Sequence, residues 1–240
     1  MAGTSTWVVG SAEVVAALVR ILGGDEPTAG TVLLGVRNVT RRRRRRRAAL
    51  AAELRVLSGG LDLDAVRTAL AEGPRVLVLD LTSLPERSGT IAVATDAADE
   101  GELAVLALDT LLPTPVEAGG TVQVICAGLI VETLEAADLA APMHPFARRL
   151  LPGSERPIDG TEKVAPGPVG CPWRESCERA QPRCSRETPP LARPLGASHP
   201  VACHYPILVG VPGQGGRGPA VGTGDGRYPD EPTAREFVEE

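Results

Sequence analysis

The chain has 240 residues, enough for one sizeable domain or two small ones. A formal net charge of −5 disfavours a nucleic-acid-binding protein, and no uninterrupted apolar run reaches the ~18 residues needed to span a bilayer. Aromatic residues are only 2% of the chain, so the core must come from Val, Leu and Ala, and 27 glycines with 22 prolines interrupt long regular elements. The N-terminal residues lack a basic stretch followed by an apolar one, so no secretory leader is expected. The expected compartment is a reducing cytoplasm, where cysteines serve metals and clusters more often than disulfides.

In chain order, Thr6 to Leu22 predict a short strand, a turn at Gly10-Ser11 and a helix. Pro27 to Gly35 read as a turn and a strand. Seven consecutive arginines, Arg41 to Arg47, lead into an Ala/Leu-rich segment read as a helix. Such a charge run repels itself and suits a solvated junction. Leu57-Ser-Gly-Gly60 precedes a helix expected over about 61–72, with Ser58 as its cap. Val76 to Asp80 and Leu103 to Leu108 are apolar runs ending in an acid, which suits parallel strands buried on both faces. Thr121 to Val131 predict two strands about Ala127-Gly128, with Cys126 packing as a small hydrophobe. Helices are expected near 135–140 and 145–151, and the Gly/Pro-rich stretch from Tyr205 onward is expected to be a disordered tail. A G-x-G-x-x-G match at Gly213 to Gly218 precedes Pro219 rather than a helix and is read as chance.

Four cysteines, Cys171, Cys177, Cys184 and Cys203, follow the spacing C-x5-C-x6-C-x18-C. Four thiolates complete the ligand set of an iron–sulfur cluster or a structural zinc. The wide spacing is not the close C-x2-C of most zinc ribbons, which favours iron and sulfur. Arg174, Arg179 and Arg183 lie among these cysteines and could offset a cluster's negative charge. His199 and His204 are read as exposed loop histidines, with a donor role as the alternative.

The text around the cysteines, from His144-Pro-Phe146 through Gly170-Cys171 to Val201-Ala-Cys-His204, resembles the C-terminal extension of ATP-binding subunits of oligopeptide/dipeptide ABC importers. The upstream motifs keep that family's order. Pro27 to Val32 resemble its Pro-Thr-x-Gly turn and strand, Leu57 to Gly60 its Leu-Ser-Gly-Gly signature, and Val76 to Asp80 its Walker B strand. Leu103 to Glu132 resemble its switch strand and Ala-Gly-x-Ile-Val-Glu ending. The resemblance implies a [4Fe-4S] cluster on the four cysteines, with zinc as the alternative from the residues alone.

Departures from that pattern bear on activity. No Gly-Lys-Ser/Thr loop follows Gly10, and Glu13 adds negative charge where a triphosphate would sit. Leu81 stands where the family has its catalytic Glu, and Thr110 where it has its switch His. Only Thr82 to Glu86 resemble the start of the later loop, and most of the helical subdomain expected between about 40 and 57 is missing. Phosphoryl transfer depends on positioning and charge, so the chain is not expected to hydrolyse ATP alone. Ser58, Gly59 and Gly60 could still meet a γ-phosphate held by a partner, or simply form a cap and turn; Leu61-Asp-Leu-Asp64 places two acids there. Asp80 is a Walker B remnant or the polar end of a strand.

The expected architecture is α/β: a reduced ABC-ATPase-like (P-loop NTPase-like) sheet over 1–142, a small loop-rich four-cysteine module over 143–206, and a tail over 207–240. The resemblance implies a non-catalytic homologue of a peptide-importer ATP-binding subunit. Its partners would be a second ATP-binding subunit and permease subunits at the cytoplasmic face of the membrane, and no nucleic acid. The alternative is an iron–sulfur or zinc interaction module that has lost transport function.

Overall fold

The computed structural model describes residues 5–23, 33–34, 37–38, 53–59, 61–84, 88–100, 103–115, 117, 120–165 and 169–208. Strand β1 (Ser5–Gly10) leads into helix α1 (Ala12–Gly23), and a small antiparallel pair, β2 (Leu33–Leu34) and β3 (Arg37–Asn38), stands apart from the main sheet. Then come β4 (Leu54–Leu57), α2 (Leu63–Ala71), β5 (Val76–Asp80), α3 (Ser88–Glu100) and β6 (Ala104–Asp109). The hairpin β7 (Thr121–Cys126) and β8 (Leu129–Leu134) follows, with Ala127 and Gly128 both at positive φ in its two-residue turn. Short helices α4 (Pro145–Arg149) and α5 (Pro182–Arg186) belong to the C-terminal part.

The main sheet runs β4–β5–β6–β1–β7–β8. Its first five strands are parallel, and only β8 is antiparallel to its neighbour. The period of two along each strand sorts the side chains onto two faces. Trp7, Val9, Leu77, Leu79, Val105 and Ala107 share one core with Val66 and Ala69 of α2 and Ile91, Ala94 and Ala98 of α3. Val8, Val78 and Leu108 join the other, under Val15, Leu18, Val19 and Leu22 of α1. Those α1 positions fall at i, i+3, i+4 and i+7, one stripe of a helix. Helices on both faces explain why β5 and β6 read as continuous apolar runs.

Several expectations are corrected. Leu54–Leu57 is a strand where the sequence suggested only helix; it pairs in parallel with β5, and Arg55 bonds Glu72 across its edge. Helix α2 is shorter than 61–72, and Asp62 rather than Ser58 caps it, accepting the Ala65 N–H at 2.7 Å. Ser58 lies four residues too early to reach the helix's first free N–H groups. Helix α3 was not expected. The helix near 135–140 is a single 3-10 turn, Ala136–Asp138, and α4 stops at Arg149. The chain from Tyr205 to Leu208 is ordered against the module, with the Ile207 N–H bonded to the Met143 carbonyl at 2.9 Å. Pro27 to Val32, Arg41 to Arg47, Gly60, Pro85, Glu86 and everything after Leu208 lie outside the described residues. Among the described residues, no helix is long and apolar enough to cross a membrane.

The C-terminal part packs on the β7–β8 end of the sheet. Phe146, Cys171, Trp173 and Cys184 belong to the same apolar cluster as Val124, Cys126, Val131 and Leu134. Backbone contacts extend β8: the Ala202 N–H bonds the Val131 carbonyl at 2.8 Å, and Val201 bridges both Glu132 and Ala192.

Candidate cysteine centre

The four cysteines, spread over thirty-odd positions of chain, come together around one small cavity. Its wall is Cys171, Cys177, Cys184 and Cys203 with His144, Pro145, Arg174, Arg179, His204 and Tyr205. All four thiols are free, and the cysteines are buried or half-buried. Among the described residues, no group of three or more His, Cys, Asp or Glu side chains is placed to hold a metal ion, and the four cysteines share the wall of the cavity.

Local geometry explains how the loops hold this shape. Gly170 has φ +89°, and a Cβ there would lie 2.5 Å from the Cys184 carbonyl oxygen. The next residue, Cys171, donates its N–H to that same carbonyl at 2.8 Å, so two cysteine-bearing turns close against each other at this glycine. Trp173 packs on Phe146 with ring centroids 4.9 Å apart, and the Arg149 guanidinium lies 5.4 Å from the Trp173 ring centre. Arg149 also pairs with Glu162 at 2.5 Å and bonds the Arg156 and Pro157 carbonyls, tying down the loop before the cysteines.

Burial works against the charged form of these thiols. Burial pushes the Cys171 thiol up to about 11 and the Cys203 thiol up to about 12, and it raises Cys177 as well; neighbouring cysteines add to each shift. These thiols are therefore protonated at neutral pH. Arg174 and Arg179 favour the thiolates of Cys171 and Cys177 respectively. Arg179, one of the lining residues, has its Nε buried without a hydrogen-bond partner. Arg183, by contrast, turns outward to Glu187 at 2.8 Å.

The histidines depart from expectation. His199 is not an exposed loop residue: it is 3% exposed, and its Nε2 lies 2.6 Å from Glu132 and its Nδ1 3.1 Å from Asp138. Burial alone would lower its pKa, but the two carboxylates outweigh burial and raise it. Glu132 is fully buried and also accepts the backbone N–H groups of Met143 at 2.5 Å and His144 at 3.1 Å. One carboxylate on β8 thus anchors both arms of the module. His204 donates to the Glu187 carbonyl at 2.9 Å and stands at the cavity wall. Sequence reading gave His144 no role of its own at the site. It is the N-cap of α4, 1% exposed, with its Nε2 3.8 Å from the Cys171 sulfur. Its position before Pro145, at the start of an expected helix, was the available signal.

The residues expected at a nucleotide site lie elsewhere, along the carboxyl ends of the parallel strands, where α/β folds place ligands. β1 and α1 are separated by Ser11 alone, and the Ser11 carbonyl already accepts the Val15 N–H at 3.0 Å. No loop exists there to surround phosphates. Leu81 is 1% exposed within the apolar core. Asp80 accepts both the backbone N–H and the hydroxyl of Thr82, the latter at 2.7 Å. The Thr110 N–H is bonded to Asp109 at 2.7 Å. Ser58 and Gly59 are exposed at the end of β4, and Gly59 has φ +68°.

No protein-family model matches this chain, and no curated protein matches it in sequence. Among solved structures it is similar to a bacterial Atm1-family ABC exporter with ATP bound, at 15% identity and a TM-score of 0.44, over 57% of this chain and 34% of the exporter chain. The chain thus spans about a third of that exporter's length. It is also similar to cbiO1 from Clostridium perfringens, part of the ABC transporter complex cbiONQ, at 14% identity and a TM-score of 0.44, over 58% of this chain and 80% of that one.

Proposed function

We propose that the chain is a homologue of the ATP-binding subunits of oligopeptide/dipeptide importers that has lost autonomous hydrolysis and retains a four-cysteine centre. It serves as a non-catalytic partner of a competent ATP-binding subunit at the cytoplasmic face of the membrane. The observation that carries the reading is the cavity lined by four free cysteines and by Arg179, whose Nε is buried without a hydrogen-bond partner. That donor set fits a [4Fe-4S] cluster held by Cys171, Cys177, Cys184 and Cys203. Such a cluster supplies a covalent staple for loops too short of apolar residues to fold alone, and a one-electron couple. Arg174 and Arg179 offset the charge of the thiolates, while Glu132 fixes the module on the sheet. The one-residue junction at Ser11 and the buried Leu81 support the loss of hydrolysis.

The test is anaerobic purification followed by measurement of iron, acid-labile sulfide and zinc per chain. About four iron and four sulfide, lost together in Cys184→Ser, is the expected result. One zinc per chain would keep a four-cysteine centre and remove the cluster. A folded chain with neither would defeat the reading.

A further inference from the structure

We propose that His144 is a positioning residue of the cysteine centre, donating its Nε2–H to the Cys171 sulfur and so favouring the reduced state of a bound cluster. The inference rests on the four-cysteine reading above and assigns a role to a side chain that is not itself a ligand.

The tautomer follows from hydrogen bonding. His144 Nδ1 accepts the backbone N–H of Phe146 at 3.1 Å. A ring nitrogen that accepts carries no proton, so the imidazole proton is on Nε2. That nitrogen stands 3.8 Å from Cys171 Sγ, within the range of an N–H···S bond. The ring cannot easily turn away. Its own backbone N–H is bonded to Glu132, Pro145 follows it, and it lies edge-on to Phe146 at 6.5 Å between centroids. Phe146 in turn stacks on Trp173, two residues beyond Cys171, so imidazole and sulfur are held from both sides.

Capping alone does not account for this arrangement. A cap needs only an acceptor near the chain, which Asn, Asp or Ser supplies more commonly than His. The imidazole adds a second, distant donor on a rigid ring, and the structure aims it at one of the four sulfurs. An N–H bonded to a ligating sulfur withdraws charge from it. The extra electron of the reduced cluster is then better accommodated, and the midpoint potential rises.

His144→Asn separates the two roles. The Asn oxygen can still accept the Phe146 N–H, but the side chain is too short to reach Cys171. The wild type and this variant are purified anaerobically, and iron, sulfide, thermal midpoint and reduction midpoint are measured on each. The expected result is unchanged iron and sulfide with a more negative reduction midpoint in the variant. Equal reduction midpoints would overturn the inference while leaving the cluster reading intact. A wild type without iron and sulfide would overturn the cluster reading, and this inference with it. Should the variant lose its cluster, the wild type decides by itself. Its reduced cluster, in protein carrying 15N-labelled histidine, is expected to show a histidine nitrogen coupling and an exchangeable proton coupling. Absence of both couplings would overturn the proposal.

Discussion

At the carboxyl ends of β5, β6 and β1, Asp80, Asp109 and Gly10 stand side by side on neighbouring strands, as ligand-binding residues do in α/β folds. Their polar groups are nevertheless engaged locally. Asp80 serves Thr82, Asp109 serves Thr110 and Leu111, and Gly10 runs straight into α1 through Ser11. In the C-terminal part the balance is reversed. Little regular structure surrounds the cysteines, yet all four line one cavity with a buried His144 and with Arg179, whose Nε is buried without a hydrogen-bond partner. A shared frame therefore does not make a site. Groups whose bonds are satisfied by their own turn have no free capacity for a ligand, whereas buried groups left for one another do.

The largest effect expected from a single side chain outside the cysteines lies where the two regions join. Glu132→Ala removes the partner of a buried His199 and strands the N–H groups of Met143 and His144. Breaking one side of a buried pair costs roughly 3–5 kcal/mol, so the denaturation midpoint should fall sharply in urea. The same pair sets a pH dependence. His199 has a raised native pKa, so its contribution is full below the unfolded value of about 6.5. That contribution is lost as pH rises through the higher native value, and Glu132→Ala should flatten this dependence. An undiminished midpoint in the variant would mean that the module is not anchored through β8.

Gly170→Ala tests the module itself, with a smaller effect. The residue would have to keep φ +89° with its Cβ 2.5 Å from a carbonyl oxygen, so strain of about 1–3 kcal/mol is expected. Iron and sulfide content should fall with stability, because Cys171 and Cys184 meet at this point. Gly59, at φ +68° but with open space around it, is the matched control at the sheet edge. Gly59→Ala should leave metal content unchanged.

What the sequence revealed follows the same division between local and distant causes. β5, β6 and the β7–β8 hairpin were legible, because burial on both faces writes a continuous apolar run and Ala127-Gly128 marks its own turn. Helix α3 was not. Its buried stripe is Thr90, Ile91, Ala94 and Ala98, and small side chains leave almost no periodic signal. β4 was hidden because four half-buried residues acquire their strand character only by pairing with β5. The grouping of the four cysteines, which the structure brings to one cavity, was legible from spacing and resemblance. Its supports were not: His199 meets Glu132 across 67 positions, and His144 meets Cys171 across 27. No local pattern encodes contacts of that range.

The smallest effect expected is at the sheet edge. Millimolar Mg-ATP should leave the thermal midpoint of the chain unchanged, since a ligand stabilises only in proportion to its occupancy of the native state. Asp80→Asn should cost no more than the charge-assisted part of one Asx turn, about 1 kcal/mol or less, with no change in cluster content. A clear rise in the midpoint with Mg-ATP, abolished by Asp80→Asn, would show that the carboxylate can leave Thr82 for a metal–nucleotide complex. The comparison would then be sharpened rather than merely broken. The strand ends would hold nucleotide through the metal alone, without a phosphate loop, and the buried, apolar Leu81 beside Asp80 would still offer no base for hydrolysis.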